Sequence, residues 1–152
     1  MQHRDIDQVR SFADIQPVSP PVMNRGERLG RWAELLEGDP NRPLSTLGEI
    51  ELASPAERPM MRADNSPLTV AFEDPVLLAA GLKSDRLGDA LAFFEISENE
   101  AHYIMCSCIH GRTMSAGTAA ARIRNLDGVH WLLPAAALLG IVGAPALLYL
   151  LG

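Results

Sequence analysis

The chain has 152 residues, a hydrophobic share of 47% and a formal net charge of −6. That length holds one small domain. The acidic balance excludes a general nucleic-acid binder, which needs clustered lysine and arginine against phosphate. Lys83 is the only lysine, so the positive charge is almost all arginine, a side chain suited to bidentate pairing with carboxylates. Two cysteines, Cys106 and Cys108, do not make a disulfide framework. Met1 to Arg10 is polar and lacks a signal-peptide pattern, so the expectation is a cytosolic soluble part with reduced thiols.

Residues 1–22 carry Pro17, Pro20 and Pro21 with little periodicity, and are expected to be a flexible extension; Met23 is a second candidate start. A helical soluble domain is expected over 23–126. Asn24 and Glu27 have the spacing of a capping box, Leu29, Trp32, Ala33 and Leu36 recur at helical spacing, and Gly38 is a stop. Trp32 is read as a core anchor. Residues 39–66 are broken by Pro40, Pro43, Pro55 and Pro59, leaving room for a short helix after Ser54. Val70 to Phe72 suggests a short strand without an evident partner. Asp74-Pro75 opens another short helix that Gly81 closes, and residues 85–95 form a helix with Leu87, Leu91 and Phe94 on one side.

Ser97 and Glu100 form a second capping box, predicting a helix to about Ile109 that Gly111 ends. Thr113 or Ser115 starts the next helix, reaching about Asn125, with a small-residue surface at Ala116, Gly117, Ala119, Ala120 and Ala121. Helix–Gly–helix invites comparison with a DNA-reading turn. Here the cations, Arg122 and Arg124, sit at the wrong end of the second helix for base contacts.

From Val129 to Leu151 the chain is apolar apart from His130, and Asp127 is the last charged side chain. About 23 apolar residues suffice to cross a bilayer as one helix. Trp131 and Tyr149 stand about 27 Å apart on such a helix, as interfacial belts require. Arg122 and Arg124 before the span and no basic residue after it place the N-terminal domain in the cytoplasm. The fold class expected is therefore all-α: a small helical cytoplasmic domain followed by one C-terminal transmembrane helix, a single-pass, tail-anchored layout. Pro145 kinks that helix and strips a carbonyl of its partner, which lipid cannot replace. Ala136, Gly140, Gly143 and Ala144 offer small surfaces for packing on another transmembrane protein. His130 is read as an interfacial histidine, with axial ligation to a haem or chlorophyll as the alternative.

One cluster suggests chemistry. His102, Cys106, Cys108 and His110 lie in the stretch HYIMCSCIH and are the side chains that bind zinc or softer transition metals. On one continuous helix, His102, Cys106 and His110 form a stripe, while Cys108 falls on the core face with Ala101, Ile104 and Met105. His102 and His110 are then about 12 Å apart, so one ion takes at most one i, i+4 pair from that stripe. No G-x-S-x-G, phosphate loop or H-E-x-x-H occurs, and no catalytic carboxylate pair is recognisable. The leading expectation is an accessory or assembly subunit of a larger membrane complex, with no catalysis and no cofactor of its own. The alternative is a membrane-tethered metal- or haem-binding domain using His102, Cys106 or His110.

Overall fold

The computed structural model describes residues 22–126. The first helix, α1 (Arg25–Glu37), is opened by Asn24: its side chain accepts from the Glu27 N–H at 2.9 Å, and Glu27 reaches back to the Asn24 N–H at 2.7 Å. Leu29, Trp32, Ala33 and Leu36 face inward, as the 3.6-residue period dictates. Trp32 is fully buried, stacks on Phe94 at 4.4 Å between centroids, and donates its Nε1–H to the Pro67 carbonyl at 2.8 Å. Burying such a side chain contributes about 2–3 kcal/mol, and the hydrogen bond removes the penalty of burying its N–H.

The proline-rich stretch is not all connection. It contains a strand, β1 (Pro43–Ser45), and two 3₁₀ turns, Ile50–Leu52 and Arg58–Met60. Residues 55–57 form only a turn, so the short helix expected after Ser54 is replaced by the second 3₁₀ turn. Val70 to Phe72 also departs from expectation. They belong to a helix, α2 (Pro67–Phe72), because Ser66 caps the Thr69 N–H and proline occupies the first turn. Next come α3 (Pro75–Ala79), capped by Asp74, and α4 (Leu87–Phe94), which ends at Glu95 in the left-handed region (φ 53°). Asp74 is buried and also takes a bidentate bond from Arg31, both contacts at 3.0 Å, tying α1 to the start of α3. That guanidinium holds the Asp74 carboxyl below its ordinary value, against the opposing effect of burial.

The remaining elements are α5 (Glu98–Met105), α6 (Ser107–His110), β2 (Thr113–Ser115) and α7, which is helical over 116–126. β1 and β2 pair antiparallel with Leu44 opposite Met114. The domain is thus mostly helical, not purely so: the short sheet closes it across a long sequence separation. Gly117 at the start of α7 packs closely, since a Cβ there would lie 3.1 Å from the Pro40 carbonyl oxygen and push that loop back by a few tenths of an ångström. The small-residue surface of this helix serves the domain's own core, with Ala116, Ala119 and Ala120 buried beside Ile123.

Among the described residues no helix is long and apolar enough to cross a membrane. The extension over 1–21, the apolar run from Val129 to Leu151, His130 and the packing residues Ala136, Gly140, Gly143 and Ala144 lie outside the described residues.

Candidate metal centre

The helix expected to run to Ile109 is broken at Cys106. Its backbone is extended there (φ −75°, ψ 139°), so Cys106 ends α5 and caps α6. The break has a partner-exchange cause. Cys106 N–H still bonds the His102 carbonyl at 3.0 Å, but the next amide, Ser107 N–H, turns to the Leu47 carbonyl at 2.9 Å. Leu47 N–H returns a 2.9 Å bond to the Met105 carbonyl, making a parallel bridge of Leu47 with Cys106. The backbone of 47 and 105–107 is therefore clamped before any side chain is considered.

Two consequences follow for the histidines and cysteines. The Tyr103 carbonyl loses its expected helical donor, Ser107 N–H. It is bonded instead by the Arg122 guanidinium, which also stacks over the Tyr103 ring at 4.2 Å, and by His110, whose Nε2 lies 3.3 Å away. His110 is thereby drawn away from His102 and Cys106. Cys108, which continuous helix would turn to the core face, is exposed and swings to the same side as Cys106, itself fully buried. The expected placement of Cys108 in the core is thus corrected, and the reason is the broken helix.

The clamp also delivers a residue that spacing along the helix cannot reveal. Glu51, on the 3₁₀ turn just beyond Gly48, reaches the same point. Its two oxygens lie 3.8 Å from Cys108 Sγ and 3.9 Å from Cys106 Sγ, and it pairs with His102. Cys108 Sγ lies 3.0 Å from His102 Nε2. One ligand atom from each of Glu51, His102, Cys106 and Cys108 falls within 4.8 Å of all the others. Of the three residues expected to serve a metal, His102 and Cys106 belong to this constellation and His110 does not.

The geometry discriminates between two chemistries. In a nucleophile–histidine–carboxylate relay, the acid holds one ring nitrogen and the nucleophile the other. Here Cys108 and Glu51 meet the same nitrogen, Nε2, so no relay is formed. Four donors converging on one point is instead the arrangement that encloses a cation. The hydrogen bond with Cys106, then burial and the nearby Glu51 charge, push the Cys108 thiol up to about 12. Glu51 is held below its ordinary value, first by its own backbone N–H and then by His102 and Cys108. The Cys108 N–H lies 3.4 Å from Cys106 Sγ and points a backbone donor at that sulfur.

Beside the cluster lies a cavity of about 180 Å³, lined by Ile50, Arg58, Glu98 and Asn99 together with Glu51 and His102. Arg58 is fixed in the wall by Glu98 Oε2 at 3.0 Å and the Ala53 carbonyl at 3.0 Å. Arg124 is engaged by Glu37 at 2.9 Å.

No protein-family model, curated protein or solved structure matches this chain.

Proposed function

We propose that this chain is a metal-binding domain held at a membrane by its C-terminal apolar run, with one zinc-class divalent ion bound by Cys106, Cys108, His102 and Glu51. The observation that carries the reading is the convergence of two thiols, an imidazole and a carboxylate on one point, which matches the donor preference of zinc. The test is elemental analysis of the full chain purified in mild detergent. One ion per chain is expected in the wild type and in His110→Ala, and none in the Cys106→Ser/Cys108→Ser double variant. Folded wild-type protein that stays metal-free after incubation with zinc would sink the proposal.

A second reading concerns the setting and rests on the apolar run itself. Pro145 within it, beside Gly140, Gly143 and Ala144, asks for a helical neighbour to satisfy the carbonyl that proline strands. On this reading the domain is a tail-anchored accessory subunit of a larger membrane complex, with the domain on the cytoplasmic face. Recovery of a defined set of membrane proteins with the full chain, lost when residues 129–152 are deleted, supports it. Recovery of this chain alone under the mildest detergent counts against it.

A further inference from the structure

We propose that the metal keeps one exchangeable position, the one Glu51 occupies, and that the adjoining cavity receives a small carboxylate that replaces Glu51 on the ion; the inference rests on the metal reading above. Three of the donors form one rigid unit. His102, Cys106 and Cys108 lie on a single short stretch whose backbone is clamped by the exchange of bonds with Leu47. Cys106 is fully buried and cannot leave without opening the core. Glu51 differs in origin. It arrives from a separate 3₁₀ turn, and its side chain is 54% exposed.

Glu51 is also a boundary. With His102 it lines both the donor cluster and the cavity of about 180 Å³. Seen from the cavity, its carboxylate is what stands before the ion. Sites that bind ligands at zinc have three protein donors and one replaceable position, whereas purely structural sites are closed by four fixed donors. Three donors on one clamped stretch, with the fourth brought from a separate turn that also lines the cavity, fit the first kind.

Charge selects the occupant. Two thiolates balance a divalent ion, and Arg58 is balanced by Glu98 at 3.0 Å. Glu51 carries the remaining negative charge, so exchanging it for another carboxylate leaves the charge at the ion unchanged. Arg58, already in the cavity wall, offers the guanidinium that a second carboxylate oxygen pairs with. A cavity of about 180 Å³ gives a small carboxylate room beside the ion.

The experiment uses the full chain in mild detergent loaded with Co(II), whose visible bands report its ligands, with acetate and acetohydroxamate as probes. The expected result is a thiolate-to-cobalt band, with visible bands that shift saturably as either probe is added. Glu51→Ala keeps the thiolate band and binds acetate more tightly, and Arg58→Gln weakens acetate by about tenfold, the loss of one charge-assisted contact. A cobalt–thiolate spectrum that neither probe moves, in wild type or Glu51→Ala, means a closed site and overturns this inference alone. Absence of any cobalt–thiolate band overturns the metal reading beneath it.

Discussion

Replacing Cys106 with serine tests the metal centre at its most buried donor. Cys106 has no exposed surface, and its peptide is held by bonds on both sides, to His102 and through Ser107 to Leu47. The substitution therefore keeps the backbone in place while exchanging a soft thiolate for a hydroxyl, a poor ligand for a zinc-class ion. An ion that binds only the native chain adds RT ln(1 + [M]/Kd), about 2.7 kcal/mol at a hundredfold excess over Kd. For a domain of ~100 residues, each kcal/mol moves the unfolding midpoint by about 4–8 °C, so zinc at that excess raises the wild-type midpoint by about 10–20 °C. The metal is not the sole source of order, because Trp32, Phe94, Leu36 and Leu44 bury a core of their own. The metal-free chain therefore still unfolds cooperatively, at a lower temperature. Far-UV circular dichroism of the full chain in detergent, melted with and without zinc, measures the difference. His110→Ala keeps the zinc-induced rise, and Cys106→Ser stays within about 2 °C of its zinc-free midpoint. An equal rise in Cys106→Ser, or no rise in the wild type, refutes the reasoning.

Other perturbations probe the scaffold. Because the folded-state pKa of Asp74 is depressed by Arg31, its contribution is present above the usual aspartate value and is lost as pH falls below about 4. Asp74→Asn costs about 1–2 kcal/mol at pH 7, the low side because Arg31 remains partly hydrated, and flattens that acid limb in urea titrations across pH. A Cβ at Gly88 would stand 2.7 Å from Pro59 Cβ and 3.0 Å from its Cα. Gly88→Ala therefore costs about 1–3 kcal/mol by thermal melting. It also loosens the turn that carries Arg58, weakening acetate binding more than cobalt binding. Trp32→Phe removes the indole hydrogen bond to the Pro67 carbonyl and part of the buried ring packing, and destabilises the domain by about 1–3 kcal/mol in the same melts. If the apolar run anchors the chain, as proposed, deleting residues 129–152 moves it from the membrane pellet to the supernatant on fractionation; a truncated chain that still pellets with lipid contradicts the anchor.

What the sequence determined by itself is local. The capping boxes at Asn24–Glu27 and Ser97–Glu100, the proline-led start after Asp74, and the inward face of α1 depend on groups within four residues of each other. Even a local signal can mislead: Val70 to Phe72 has strand composition, yet the Ser66 cap and Pro67 make it helix. The apolar run and its proline are likewise plain in composition alone. Tertiary structure decided what depends on competition for a backbone donor. Residues 43–45 pair with 113–115, and Ser107 N–H leaves the Tyr103 carbonyl for that of Leu47. No periodicity announces that choice, because an amide in the middle of a helical pattern is equally satisfied by either carbonyl. From that one exchange come the broken helix, the reorientation of Cys108, the departure of His110 to Tyr103 and the arrival of Glu51 beside His102 and Cys106.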